Sequence, residues 1–311
     1  MLGVSTGYAY KIIRGLNEEL KAKGNRTICG KVPTKYFEEK FYGNNQEVEG
    51  MKKVAGSIQR KTMLYETGVE YGDYTMDHVL GCAHSCKFPC YAYLQKKRFG
   101  QVSCYEDWCK PYLVSNTIQL LYKEIPKLKN KITSVQLCFM TDPFMYEYDE
   151  IAKMSLEAIH LLNVYGIRCT VLTKGLLPIE LADKKKYPLD NEYGITLISL
   201  DEAYREKMEP DAAPYTKRLG AMKALNEAGC RTWVSMEPYP TPNLIEQELQ
   251  NLLEAVSFTD RIIFGRTNYC TEVTKGYPQH KVFYNKKAQE VINFCMERKI
   301  AYHIKEKTIT E

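Results

Sequence analysis

From residue 78 to residue 265 six short apolar or β-branched runs alternate with stretches of helical period. The runs are HVLGC (78–82), SVQLCF (134–139), RCTVLT (168–173), GITLIS (194–199), RTWVSM (231–236) and RIIFG (261–265). YLVSNTIQLLYKEIPKLK, EIAKMSLEAIHLLNVYG, PYTKRLGAMKALNEAG and LIEQELQNLLEAV read as helices between them. Repeated strand-then-helix units predict an α/β fold, a parallel sheet with helices outside it. Six units suit a partial (β/α)6 barrel, and an open doubly wound sheet would give the same pattern. In both, the active site belongs at the C-terminal ends of the strands. The residues there are Cys82, the TDPF of 141–144, Thr173 with Lys174, Ser199 with Asp201, Glu237, and Arg266 with Asn268. Side chains capable of chemistry follow nearly every strand, as expected of a catalytic rim.

Three regions are expected: a helical segment over residues 1–43, a polar linker over 44–64, and the barrel over 65–311. The last ends in AYHIKEKTITE, a closing strand and tail. In the first region Tyr10, Ile13, Leu16 and Leu20 share a helical face, Ser5 or Thr6 can cap it, and Gly24 stops it. A second small helix is expected from Thr34.

Composition narrows the class. A hydrophobic content of 44% over 311 residues supplies a large core. No apolar run approaches the ~18 residues of a membrane span, and the N-terminus lacks a signal-peptide h-region. Export is not expected, and the cytoplasm is the expected location. Eleven cysteines, an odd number, then point to reduced thiols and metal binding, not to a disulfide scaffold. A net charge of +5 permits contact with nucleic acid without requiring it.

GCAHSCKFPCYAY (81–93) follows the first run and places Cys82, Cys86 and Cys90 within nine residues. A zinc loop would need a fourth ligand, for which His84 is at hand. Closed zinc sites usually show two short-spaced pairs, and no second pair lies near enough. A [4Fe–4S] cluster held by three cysteines leaves one iron open to a small chelating cofactor.

The loop resembles the cluster motif of the radical S-adenosylmethionine (SAM) superfamily, C-x3-C-x2-C, with Pro89 lengthening the second spacing by one residue. GITLISLDEAYREKMEPDAAPYTKRLGAMKALNEAGCRTWVSMEPYPTP is similar to the second half of the spore photoproduct lyase-like branch, and MTDPF matches its Thr-Asp-Pro segment. The likeness spans roughly residues 75–270. It implies a [4Fe–4S] cluster and SAM as cofactors, cleavage of SAM to a 5′-deoxyadenosyl radical, and hydrogen abstraction from a substrate. It further implies Cys82, Cys86 and Cys90 on the cluster, and adenine packed on Phe88 or Tyr91. Thr141 and Asp142 would meet the methionine amine, Lys174 the SAM carboxylate, and Ser199 the ribose. An external donor of flavodoxin or ferredoxin type would supply electrons.

Cys138 is the candidate for the hydrogen-returning cysteine of that branch, but it stands one residue out of register. Strand alternation puts Phe139 in the formal position and Cys138 in the core. Cys104 and Cys109 read as ordinary thiols. Cys169, Cys230 and Cys295 read as core, and Cys270 is placed to face the cavity. Glu237, with Arg266 and Asn268, is expected either at the bound cofactor and a polar substrate or in an internal ion pair.

The N-terminal segment resembles the recognition half of small helix-turn-helix proteins of mobile elements, lacking the first helix. Its true start is then upstream, or it is a remnant; an amphipathic docking helix is the other reading. Lys11, Arg14, Lys31 and Lys35 are the candidate nucleic-acid contacts. Two functions follow. One is a radical SAM enzyme acting on nucleic acid or on another substrate. The other is a DNA-binding iron–sulfur sensor without turnover, which would have no use for Asp142, Lys174 and Ser199 at successive strand ends.

Overall fold

The computed structural model describes residues 51–68, 72–188 and 190–310. The expected N-terminal helices lie outside these residues, and with them Lys11, Arg14, Lys31 and Lys35. In chain order the elements are β1 (Gly56–Ile58), β2 (Leu64–Glu66), β3 (Tyr74–Met76), β4 (Val79–Leu80), α1 (Tyr91–Arg98), α2 (Tyr105–Trp108), β5 (Tyr112–Val114), α3 (Thr117–Leu128), β6 (Ser134–Leu137), α4 (Asp149–Val164) and β7 (Arg168–Thr173). There follow β8 (Glu192–Thr196), α5 (Glu202–Met208), α6 (Tyr215–Glu227), β9 (Arg231–Tyr239), α7 (Leu249–Ala255), β10 (Arg261–Arg266), α8 (Thr271–Thr274), α9 (His280–Arg298) and β11 (Ala301–Ile304).

The main sheet runs β11-β10-β9-β8-β7-β6-β3-β2. Every neighbouring pair is parallel except β2 with β3. Its ends, β11 and β2, are unjoined, so the α/β fold is a partial barrel. The expected closing strand is β11, which pairs Arg261 with Ala301. Parallel strands buried on both faces carry near-continuous apolar runs, and β7 and β8 do so through Cys169, Val171, Tyr193 and Ile195. On the outside, α4 buries Ile151, Met154, Ala158, Ile159 and Leu162, the i, i+3, i+4 stripe of a core-facing helix. Asp149 and Glu150 occupy its first turn, where carboxylates favour the positive end of the helix dipole.

Three expectations need correction. HVLGC is not the first barrel strand: only Val79–Leu80 is extended, and it pairs antiparallel with β5 in a separate sheet of order β1-β5-β4. The barrel begins instead at β3, whose three residues are too few to show a period in sequence. YLVSNTIQLLYKEIPKLK is a strand and then a helix, because Asn116 and Thr117 interrupt it and the Thr117 hydroxyl turns back onto the Val114 carbonyl at 2.7 Å. Part of the expected linker is also structured: Gly56–Ile58 pairs in parallel with β5.

The small sheet sets the stage for the site. It fixes the start of the cysteine loop beside the C-terminal ends of the barrel strands.

Candidate active site

The loop after β4 is pinned by its backbone. Gly81 takes φ +88°, and a Cβ there would stand 2.5 Å from the Lys110 carbonyl oxygen. Only glycine meets both demands. The next amide, Cys82 N–H, donates to the Trp108 carbonyl at 2.8 Å. Further on, the Tyr105 hydroxyl donates to the Cys86 carbonyl at 2.5 Å and the Lys87 amide to the Met208 carbonyl at 2.8 Å. Cys90 is the N-cap residue of α1. The backbone at Cys82 and Cys86 is therefore held by other elements, and the Cys90 carbonyl accepts the Leu94 amide in the first turn of α1.

Cys82, Cys86 and Cys90 line one cavity of about 470 Å³ at the C-terminal ends of the strands. Phe88, Tyr91, Cys138, Thr141, Asp142, Lys174, Glu237, Arg266 and Asn268 line it too. The expected rim is thus assembled, except for Pro143, Phe144, Ser199 and Asp201. Ser199 is buried away from this cavity, accepts the Asp201 amide at 3.1 Å, and lines a separate pocket beside Gln247. The correction has a simple cause: β8 ends at Thr196, three residues earlier than GITLIS suggests, and Thr196 is the residue that faces the cavity.

Cys138 also departs from expectation. The strand ends at Leu137, and Cys138 has φ +50°, so strand alternation no longer governs its direction. It lines the cavity while only 2% exposed. Its Sγ lies 3.3 Å from His78 Nδ1. On the other side of that ring, Nε2 lies 2.8 Å from the Ser155 hydroxyl, which itself donates to the Pro143 carbonyl. Ser155 must therefore accept from Nε2–H, which leaves Nδ1 as an acceptor for the thiol. Burial pushes the Cys138 thiol up and His78 down to about 3, so both are neutral. Cys270 is buried at the N-terminus of α8, does not line the cavity, and lies 3.1 Å from Glu272 Oε2.

Asp142 has its oxygens occupied by the fold. Oδ1 accepts the Thr173 hydroxyl at 2.6 Å and the Phe144 amide at 2.9 Å, and Oδ2 accepts the Lys174 amide at 2.8 Å. His84 Nδ1 stands 3.6 Å from Oδ2, and its Nε2 accepts the Tyr146 amide at 3.3 Å. Burial lowers the His84 pKa to about 4 in spite of the carboxylate. This ring is a strut between backbone and carboxylate. The Thr141 hydroxyl lies 3.4 Å from the Val79 carbonyl and also contacts the Cys138 thiol.

Lys174 is held as well. Its Nζ lies 2.8 Å from Glu209 Oε1 and 3.5 Å from Cys86 Sγ, with the Phe88 ring centre 5.7 Å away. Glu209 Oε2 in turn pairs with Arg218 Nη2 at 2.8 Å, both side chains fully buried. Burial would raise the Glu209 pKa, but Lys174 and Arg218 bring it down to about 2. Burial pushes the Cys86 thiol up to about 11 against the pull of Lys174.

On the far wall, Lys305 Nζ stands 3.8 Å from Glu237 Oε2, and Arg266 Nε donates to Asn268 Oδ1 at 2.9 Å. Sequence reasoning missed Gln136, Thr196, Ser235, Lys305 and Glu209. The signal for the first three is a lone polar residue inside an apolar strand run, which alternation turns toward the barrel interior. Gln136 Oε1 is buried and takes no hydrogen bond from the protein, as expected where a polar guest completes the lining.

The donor set fits an iron–sulfur cubane. Among the described residues no three His, Cys, Asp or Glu side chains gather to hold one ion. A cubane asks for something else, one thiolate per iron, and three thiols on one cavity wall meet that need. The cavity's volume of about 470 Å³ is within the ~300–1,000 Å³ range of small-molecule sites.

A sequence model described as the radical SAM superfamily matches residues 76–256. An uncharacterised protein of Acidianus two-tailed virus is 24% identical over 196 residues, covering 61% of this chain and 64% of the relative. An uncharacterised protein of Methanocaldococcus jannaschii is 24% identical over 269 residues, covering 83% and 97%. Among solved structures, spore photoproduct lyase complexed with dinucleoside spore photoproduct superposes with a TM-score of 0.56 at 13% identity, covering 94% of each chain. A variant of that lyase with bound AdoMet and dinucleoside spore photoproduct gives 0.55 at 13%, covering 94% and 93%. At these identities the likeness to the solved structures is one of fold.

Proposed function

Because this chain belongs to the radical SAM superfamily, a family of enzymes that use a [4Fe–4S] cluster and SAM, we propose that Cys82, Cys86 and Cys90 hold its cluster. We read its substrate as nucleic acid. When bound, the cluster and SAM supply a 5′-deoxyadenosyl radical, and an external flavodoxin- or ferredoxin-like protein supplies the electron. The observation that carries the reading is the gathering of all three cysteines of one loop onto the cavity where the barrel strands end.

The other lining residues have work that their contacts support. Phe88 and Tyr91 offer rings beside the cysteines for the adenine. The Thr141 hydroxyl is available to the methionine amine, while Asp142 serves by fixing the loop after β6 to the end of β7. Thr196 takes the place at the strand end that Ser199 was expected to fill. Glu237, Arg266 and Lys305 form a charged wall opposite the cysteines, suited to a polar substrate. Cys138 is the candidate hydrogen-atom donor: a neutral thiol keeps its hydrogen, and His78 holds it on the cavity wall.

Support for nucleic acid comes from the cavity mouth. Tyr269 is 71% exposed and lines the cavity with Arg266 and Lys305. Exposed rings on which bases stack, next to cations for phosphates, are the usual elements of single-strand recognition. The bound dinucleoside of the structurally similar lyase agrees with that chemistry. No described helix is long and apolar enough to cross a membrane, and reduced thiols suit a cytoplasmic setting.

The test is anaerobic SAM cleavage by the reconstituted protein, with and without single-stranded and duplex DNA. Stimulation by DNA, and its loss in Tyr269→Ala or Arg266→Ala, is expected. Cleavage that DNA leaves unchanged would remove nucleic acid as the substrate while leaving the family assignment intact.

A further inference from the structure

The ammonium of Lys174 has a buried scaffold behind it. Arg218 donates through Nε to the Ala213 carbonyl at 2.7 Å and through Nη1 to the Thr196 carbonyl at 2.9 Å, which fixes the guanidinium. That guanidinium holds Glu209 at 2.8 Å, and Glu209 holds Lys174 Nζ at 2.8 Å. The last link is Nζ to Cys86 Sγ, 3.5 Å, within range of an N–H···S hydrogen bond. Arg218, Glu209 and Lys174 together carry one net positive charge, and the cation placed against sulfur is Lys174.

We propose that Glu209 is a positioning residue for the cluster: it steers the Lys174 ammonium onto the Cys86 sulfur and so makes the cluster easier to reduce. The proposal rests on the reading that Cys86 is a cluster ligand. Uptake of one electron leaves the cluster and its thiolates more negative by one charge. A fixed cation with a hydrogen bond to one thiolate stabilises that form more than the oxidised one. The scaffold matters because a free lysine on a loop would spend its charge on solvent. Glu209 brings an opposite charge, so its effect through charge alone and its effect through position have opposite signs.

That difference makes the test. The cluster is reconstituted without SAM, and its midpoint potential is read by titration with dithionite as the one-electron donor, monitored by electron paramagnetic resonance. Lys174→Met is expected to lower the potential. At a fixed potential, the ratio of reduced to oxidised cluster should fall about tenfold, the scale of one charge-assisted hydrogen bond. Glu209→Asp keeps the charge but shortens the reach, and Glu209→Gln removes the charge; both are expected to lower the potential. Two substitutions guard against a variant that fails to fold.

An unchanged potential in Lys174→Met overturns the proposal. So does a raised potential in Glu209→Gln or an unchanged one in Glu209→Asp, since Lys174 would then act only as a nearby charge. If Cys86→Ala still assembles a [4Fe–4S] cluster of wild-type spectrum, the ligand reading fails first and takes this proposal with it. The two failures are therefore distinct.

Discussion

Asp142 Oδ2 accepts the backbone N–H of Lys174 at 2.8 Å, which ties the loop after β6 to the end of β7. Oδ1 of the same carboxylate takes the Thr173 hydroxyl at 2.6 Å. The sequence offers Asp142 as a ligand for SAM, whereas these contacts make it a clamp that fixes the lysine's backbone. Asp142→Asn presents an amide NH₂ to a donor, leaving at least one buried partner unsatisfied. The apoprotein should lose roughly 1–3 kcal/mol, read by urea denaturation without SAM. Unchanged apoprotein stability would return Asp142 to a pure ligand role.

Gly81→Ala should damage the site without touching a candidate ligand. The added Cβ meets the Lys110 and Trp108 carbonyls at 2.5 and 2.8 Å, and φ is +88°. Strain of this kind costs about 1–3 kcal/mol. The expected result is a folded barrel with reduced iron and sulfide content after reconstitution. Full iron loading would show that the loop has more latitude than its contacts imply.

Cys138→Ala should leave the cluster untouched. Its sulfur lines the cavity but pairs with His78, so iron content and SAM cleavage without substrate should stay within about twofold of wild type. A loss of iron would make Cys138 a ligand. With substrate present, the donor reading expects uncoupled cleavage and altered products.

His78 predicts a pH dependence. Burial holds it near 3 in the folded protein against 6.5 for the free side chain. Below pH 6.5 the unfolded chain takes up a proton that the folded one refuses, so stability falls as pH drops toward 3. At 1.36 kcal/mol per pH unit, the loss between pH 6.5 and 5 is about 2 kcal/mol. Denaturation of wild type and His78→Asn at pH 7 and pH 5 checks this. The variant should lose less by about that amount, and equal losses would show that His78 is protonated in the fold.

The alternation of runs carried the fold in sequence because parallel strands buried on both faces must be apolar. The cysteine loop was equally plain, since ligand spacing is local. What escaped was set by register. Ser199 and Cys138 were misplaced because the strands stop at Thr196 and Leu137, and a period cannot tell where pairing ends. Tyr74–Met76 was too short to see, and HVLGC stood in its place. Glu209 was visible as part of a motif, but its role depends on Arg218 and Lys174 meeting it in space. No local pattern encodes that meeting.

The central claim is that the three-cysteine loop drives SAM cleavage. The direct measurement is 5′-deoxyadenosine formed from SAM under dithionite without oxygen, in wild type and in the Cys82→Ala, Cys86→Ala, Cys90→Ala triple variant. The account predicts product from wild type and none above background from the variant. An intact cluster in wild type with no product, with or without DNA, would contradict it.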